Sequence, residues 1–295
     1  MNKMCINDLK TEVIIPLYNA EKQIRSLHAS LLAQKGIDNV KITYVLTQSE
    51  DNTEEILKEL QANYSVVSKQ EFSHSLTREN AIFNSTADYA FLLAQDVNIV
   101  DDETLAKLLH FTVENELAGA YLRQVSTERL DKYFREYSYP PESHIYCDVD
   151  LEQLGQKAVF FSDVFSCLNI ETFKAVNGYD NKDLGTNEDM YYCYKCLSLG
   201  YKMGYFGDTF VEHSHKMTYK KTYERYLLIG EFFRHNKQIS SLKNNKKDYL
   251  KIVFLILKKF DILALFMLIP NVIARVRGLR KGKKDISYET TKGKI

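Results

Sequence analysis

The alternation of apolar and polar positions divides the chain into short elements. A β-branched run, "TEVIIP" (11–16), reads as a buried strand. The stretch 19–34 follows, with Ile24, Leu27, Leu31 and Leu32 at helical spacing and Asn19 as the expected N-cap. "VKITYVL" (40–46) predicts a second strand, and "NTEEILKELQ" a helix capped by Asn52 with acids in its first turn. "YSVV" (64–67) predicts a third strand, 76–84 a helix, and "DYAFLLA" (88–94) a fourth strand. Asp101 or Asp102 is expected to cap the next helix, ahead of a strand at "AGAYLRQV" (118–125). Strands alternating with helices of this length imply crossover units, hence an α/β fold with a mostly parallel, Rossmann-like sheet covered on both faces.

The second half is less regular. Residues 126–154 are polar, aromatic and poorly periodic, and read as a loop insertion. "KAVFFSDVFSCLNI" returns to sheet-like sequence, and "ETFKAVNGYD" predicts a short helix ended by Gly178. A helix is expected over 188–199, stopped by Gly200. "YKMGYF" and "TFVEHSH" then predict two short strands.

At 248–270 the apolar positions run on, interrupted by Lys251, Lys258, Lys259 and Asp261, and the longest uncharged run up to Pro270 is nine residues. A membrane span needs about twenty. With Asp248 these charges fall on one arc of a helical wheel, so the segment is expected to be an amphipathic arm. Arg275, Arg277, Arg280, Lys281, Lys283 and Lys284 follow it. That combination suits lying in an anionic membrane surface; packing of the arm on the body or on a second subunit is the alternative. Nucleic acid is not expected as a partner, because the tail has no interleaved aromatics or recognisable binding module.

Composition sharpens this division. The 39 Lys and Arg balance 39 Asp and Glu, but from Ser241 onward there are 14 basic against 4 acidic residues. A globular body of about −10 at 1–240 therefore carries a basic appendage of about +10 at 241–295. Five scattered cysteines predict a reduced, cytoplasmic protein. Cys193 and Cys196 have CxxC spacing but no second ligand pair of finger-like spacing. Asp8, Glu12 and Pro16 precede any long apolar run, so no export signal is expected.

Ligands of such sheets bind beyond the carboxyl ends of the strands, which directs attention to three places. Asp96 follows a predicted strand, where a carboxylate either caps a turn or holds Mg²⁺ or Mn²⁺ with a substrate's phosphates. His213 and His215 are two apart at the end of a strand-like run, sharing a face; either one packs while the other is solvated, or one joins Asp96 as a metal ligand. Glu188 and Asp189 open a helix, as N-terminal acids commonly do, or one of them takes a proton from a substrate.

In this order, on a chain opening "VIIPLYN", these residues resemble the inverting glycosyltransferases of family 2 with the GT-A fold, over residues 11–236. More narrowly, "FSHSLTRENAIFNSTADYAFLLAQD" and "VEHSH" are similar to bacterial rhamnosyltransferases of cell-surface polysaccharide synthesis. The resemblance implies a donor site lined by Pro16, Tyr18, Asn19, Thr47, Ser49, Arg78, Asn80 and Gln95, and a divalent metal at Asp96 with His215 or His213. It implies Asp189 as general base, with Glu188 orienting the acceptor or the helix end. The implied partners are a dTDP- or UDP-linked sugar, a lipid-linked or growing polysaccharide acceptor, and the inner face of the cell membrane, where the protein would be peripheral. Two positions depart from the family pattern. Thr47 stands where an aspartate usually binds the base, and the usual DxD is reduced to Asp96 with Gln95 before it and Asn98 after. The rival expectations are a nonenzymatic scaffold that keeps the fold, and a nucleotidyltransferase; the latter would need an early Gly-rich phosphate loop followed by lysine, which is missing here.

Overall fold

The computed structural model describes residues 8–244 and 248–284; Cys5 lies outside them. Strand β1 (Thr11–Leu17) is central and buried on both faces, with Val13, Ile15 and Leu17 in the core of one side and Ile14 in that of the other. It pairs in parallel with β2 (Val40–Thr47) and β4 (Tyr89–Leu93), and β2 pairs in parallel with β3 (Tyr64–Val67). Helices α1 (Ile24–Leu32), α2 (Thr53–Glu59) and α3 (His74–Asn84) make the crossovers. Next come β5 (Asn98–Ile99), α4 (Thr104–Glu114) and β6 (Leu117–Val125), with β8 (Phe165–Asn169) and β9 (Lys202–Glu212) completing the path β3-β2-β1-β4-β8-β6-β9-β5. The short β7 (His144–Tyr146) pairs with β9.

Strands β1, β2, β3, β4, β6 and β9 point one way, so the sheet is mostly parallel, as expected. Strand β8 runs antiparallel to both of its neighbours, β4 and β6. The strand boundaries in the first half fall within a residue or two of the pattern.

Where the observed elements differ from the pattern, the reasons are local. Helix α1 begins at Ile24, not at Asn19, because Asn19 has φ 48° and turns towards the β2–α2 loop. Asn52 holds the N-cap position of α2 as expected, but its side chain makes no capping hydrogen bond; Asp51 Oδ1 accepts the Thr53 amide at 3.1 Å instead. The carboxylate of Asp101 accepts the Glu103 amide at 3.0 Å, while Glu103 itself occupies the cap position of α4.

The stretch read as a loop holds α5 (Asp131–Ser138), β7 and α6 (Asp148–Gln153). The two strands expected near the end are one, β9, because Gly207, Asp208 and Thr209 form an irregularity between the pairs Leu122↔Phe206 and Arg123↔Phe210. That bulge interrupts the period-two pattern without ending the strand. Helix α7 (Ile170–Ala175) stops before Gly178, as read. Helix α8 (Glu188–Ser198) closes as a Schellman motif: Gly200, at φ 83°, bonds Leu197 O, and the Tyr201 amide bonds Cys196 O at 2.9 Å.

The tail forms two helices, not one. After α9 (Tyr219–His235) and α10 (Lys237–Ser240) come α11 (Asp248–Lys258) and α12 (Ile262–Lys284). The chain breaks at Phe260, which has φ 51°. Asp261, expected on the solvated arc, instead turns inward: it accepts the Ala264 amide at 3.1 Å and the Tyr133 hydroxyl at 3.0 Å. Arg275, counted with the cationic cluster, is also buried, 3.8 Å above the Phe134 ring and bonded to Asn271 and Tyr226.

Helix α12 lies against α9 so closely that a Cβ on Gly278 would meet Tyr223 O at 2.4 Å. Helices α5, α11 and α12 share a small core of Leu130, Tyr133, Phe134, Ile252, Ile256, Ala264 and Leu268. By length and composition α12 is able to cross a membrane, and 33% of its most apolar window is buried inside the protein. The outer face of the arm exposes Leu250, Phe254, Leu257, Phe260, Ile262, Leu263, Phe266 and Ile269.

Candidate active site

The carboxyl ends of β1, β2, β4, β6 and β9 meet along one edge of the sheet, and polar side chains knit them together. The Tyr18 amide donates to Gln95 Oε1 at 2.8 Å, and Gln95 Nε2 donates back to Tyr18 O at 3.0 Å. Gln95 therefore ties the end of β1 to the end of β4. Asn19 joins the next loop, its amide donating to Ser49 Oγ at 3.0 Å and its Oδ1 accepting the Glu50 amide at 3.0 Å. Pro16 lies within β1. Thr47, at the end of β2, is fully buried, and its hydroxyl has no hydrogen-bond partner among the described residues. A buried orphan hydroxyl costs free energy unless something meets it.

One turn beyond β4, Asp96 faces the end of β9. His213 Nε2 is 3.2 Å from Asp96 Oδ1, and His215 Nδ1 is 4.0 Å from Oδ2. His213 continues the β6–β9 ladder by donating its amide to Val125 O at 2.9 Å. The two imidazoles meet edge to face, 4.2 Å between centroids. A ligand atom from each of Asp96, His213 and His215 lies within 4.8 Å of the others. One carboxylate with imidazole nitrogens suits Mn²⁺ well and Mg²⁺ less well. Burial pushes the Asp96 carboxyl up, but the His213 hydrogen bond and the charges of both histidines together carry it below its ordinary value. Burial and the neighbouring His213 lower His215 to about 4, leaving its ring neutral at pH 7 with a lone pair for a cation.

The acidic end of the site is built on α8. Asn187, at φ 59°, turns the chain so that Glu188 and Asp189 diverge, as adjacent residues on a helix must. Glu188 points inward to Arg78 of α3, Oε1 to Nη1 3.1 Å, with both side chains about 10% exposed (10% and 11%). Arg78 also donates to His74 O at 2.8 Å. Asp189 accepts the Met190 amide at 2.7 Å and the Asp163 amide at 3.4 Å. Burial, Glu188 and Asp163 raise Asp189 well above the usual carboxylate range. Asp163 is itself buried beneath it, accepting from Ser166 and Tyr179, and burial pushes it up to about 6 against the opposing charge of Arg78. Asn80, on the other hand, is exposed on α3.

A chain of hydrogen bonds runs from this end to the histidines. Ser162, next to Asp163, accepts from Gln124 Nε2 at 2.9 Å; Gln124 Oε1 accepts from Arg135 Nη1; and Arg135 Nη2 is 3.2 Å from His213 Nδ1. Asp131, one helical turn before Arg135, pairs with it at 3.4 Å and accepts the His215 amide at 3.4 Å. Sequence reading missed Asp131, Arg135, Gln124 and Asp163. An acid and a base four apart around Tyr133 and Phe134 are a helical signal, and it could have found α5. Nothing local marks Gln124 or Asp163.

The four described cysteines are free, and Cys193 and Cys196 are both buried in α8, where Cys193 lies against Ala158 O. Tyr191, Tyr192 and Tyr205 are core residues.

Residues 10–227 match the sequence profile of a family described as "Glycosyltransferase like family 2". The O-antigen chain rhamnosyltransferase RfbN of Salmonella typhimurium is 27% identical over 230 residues, 76% of this chain and 72% of the relative. WbaN of Salmonella anatum, another O-antigen chain rhamnosyltransferase, is 26% identical over 231 residues, 77% of this chain and 73% of the relative. Among solved structures, TarS 1–349 of S. aureus aligns with a TM-score of 0.58 at 15% identity, covering 94% of this chain and 81% of that one. Mannosyltransferase PcManGT of Pyrobaculum calidifontis, solved with GDP-Man and Mn²⁺, aligns at 0.59 and 14% identity, covering 90% and 74%. These two structures share its fold.

Proposed function

This chain belongs to glycosyltransferase-like family 2, and on that premise we propose that it transfers rhamnose from a dTDP- or UDP-linked donor, with inversion, onto a lipid-linked or growing polysaccharide acceptor. The observation that carries this reading is the pairing of an Asp96–His213–His215 cluster with a carboxylate of raised proton affinity, Asp189, linked through the Ser162–Asp163 backbone and the hydrogen bonds of Gln124 and Arg135. Likeness to the two O-antigen chain enzymes supports rhamnose.

In this reading Asp189 accepts the proton of the acceptor hydroxyl as that oxygen attacks the anomeric carbon. Its raised proton affinity, from burial and the neighbouring Glu188 and Asp163, favours taking a proton. Arg78, oriented by Glu188 and the His74 carbonyl, lies where it can direct charge towards the sugar or phosphates. Tyr18, Asn19, Ser49 and the Thr47 hydroxyl form the nucleoside end, with Gln95 bracing it. A divalent cation held by Asp96 and a histidine supplies neutralisation of the departing diphosphate.

The arm supports action at a membrane. It exposes leucines, isoleucines and phenylalanines along its length, and Lys251, Lys258, Lys259, Arg277, Arg280, Lys281, Lys283 and Lys284 are exposed on the same arm. Packed against α5 and α9, the arm rests at the inner leaflet as part of the body, and the catalytic part spans 1–240 with the arm at 241–295. A groove of about 640 Å³ between α5 and α11, lined by Tyr137, Leu250, Phe254 and Leu255 with Glu136 and Lys251, opens on the arm and supports a lipid-linked acceptor.

The test is a donor panel with the purified full chain. dTDP- and UDP-sugars are scored with Mn²⁺ by thermal shift and then by transfer, and the anomeric configuration of the product is read by NMR. A dTDP-rhamnose response, loss of turnover with EDTA and an inverted product are expected. Stabilisation by UDP-sugars alone would overturn rhamnose, and a retained configuration would overturn the role of Asp189.

A further inference from the structure

We propose that Arg135 is a positioning residue that fixes His213 as a hydrogen-bond donor to Asp96, so that His215 is the histidine that meets the cation. The proposal rests on the metal site described above and assigns its two histidines different tasks.

A guanidinium carries donors and no acceptor. Arg135 Nη2, 3.2 Å from His213 Nδ1, therefore makes that nitrogen the acceptor and leaves the ring proton on Nε2. That Nε2 is 3.2 Å from Asp96 Oδ1, which can only accept when ionised. Both nitrogens of His213 are thereby used, with no lone pair left for a metal. Gln124 Oε1 also approaches Nδ1, at 3.3 Å, and keeps a second lone pair beside the bond from Arg135 Nη1, but a proton on Nδ1 would be turned against the donor-only Arg135 Nη2 at 3.2 Å. His213 is 4% exposed, so water does not compete for these positions.

His215 is placed differently. Its side chain is 42% exposed, its backbone amide is held by Asp131, and its Nδ1 lies 4.0 Å from Asp96 Oδ2, beyond hydrogen-bond reach. A cation would bridge these two atoms where a hydrogen bond does not. Asp131 and Arg135 are one turn apart on α5, so a single helix face holds both histidines, while its other side is clasped by the arm through Phe134–Arg275 and Tyr133–Asp261.

The experiment uses ¹⁵N-histidine-labelled full-length protein and Mn²⁺ alone as probe. Long-range ¹H–¹⁵N correlation, assigned with His213→Ala, is expected to show the Nε2–H tautomer of His213 in the wild type and in Arg135→Lys, and a mixture in Arg135→Met. Spin-echo spectra of bound Mn²⁺ are expected to show one imidazole coupling, kept in His213→Ala and lost in His215→Ala. Mn²⁺ affinity, read below each variant's melting transition, falls about 10–100-fold in Arg135→Met and recovers in Arg135→Lys; the melting temperature of Arg135→Met falls too, because Asp131 loses its partner. An Nδ1–H proton on wild-type His213, or a coupling lost in His213→Ala and kept in His215→Ala, overturns the proposal without touching the family-level function. A wild type that binds no Mn²⁺ sinks the metal reading and the role given to His215, whereas the tautomer of His213 still decides the role of Arg135.

Discussion

The backbone amide of Asp163 donates to the carboxylate of Asp189 across 3.4 Å, while the Asp163 side chain, buried beneath, repels the same group. One residue thus positions the base and raises its proton affinity. The next residue back, Ser162, starts the hydrogen-bond chain to the histidines.

Replacing Asp189 by Asn removes the base and keeps the shape. The single-turnover rate is expected to fall about 10²–10⁴-fold, equivalent to roughly 3–5 kcal/mol in the barrier. The melting temperature should hold or rise, since a buried like-charge contact is relieved. A variant with unimpaired turnover would reduce Asp189 to a helix-end decoration.

The pH dependence follows from the same contact. Asp163 titrates at about 6 in the folded protein and near 4 when unfolded. The folded state holds the proton more tightly, so this group's contribution to stability falls as pH rises from about 4 to 6 and stays lost above. Asp163→Asn should therefore be more stable than wild type at pH 7, by on the order of 2–3 kcal/mol, and the two should converge near pH 4. With one negative charge fewer beside Asp189, the acidic limb of the rate profile should also move to lower pH. A limb that stays in place would mean Asp189 does not titrate in that profile.

Glu188 and Arg78 form a nearly dry ion pair. Glu188→Gln leaves a buried guanidinium uncompensated and is expected to cost about 3–5 kcal/mol in urea unfolding. The double change Glu188→Gln, Arg78→Met should recover much of that loss, while activity stays low because Arg78 is gone.

Thr47 holds a hydroxyl that has no hydrogen-bond partner among the described residues. Thr47→Val should leave stability unchanged or improved, while donor affinity by calorimetry drops about 5–10-fold, the size of one hydrogen bond. Unchanged affinity would remove Thr47 from the nucleoside site.

The outer face of the arm is testable apart from chemistry. Phe254→Ser, Phe260→Ser and Phe266→Ser together should reduce co-sedimentation with anionic vesicles by more than tenfold, since each buried phenylalanine contributes roughly 1.5–3 kcal/mol. Hydrolysis of the soluble donor should persist. Equal vesicle binding would point to a protein partner on this face.

The alternation at 11–125 determined the crossover half of the sheet by itself, because each strand and helix there buries its own face and carries that requirement in its own period. Asp96, Asp189 and the His213–His215 pair were legible for a related reason: each ends or opens an element at the binding edge. The rest needed tertiary structure. Arg135 and Gln124 matter only because distant strands bring His213 to them, and Asp163 acts through its backbone amide, a group every non-proline residue has. Asp261 looked solvated on a helical wheel and Arg275 was counted with the cationic cluster after it, but both readings assume a free-standing helix with water on its polar side. The break at Phe260 and the aromatic wall of α5 turned both inward. Periodicity records what one element buries; what two elements do to a charge between them is decided only when they meet.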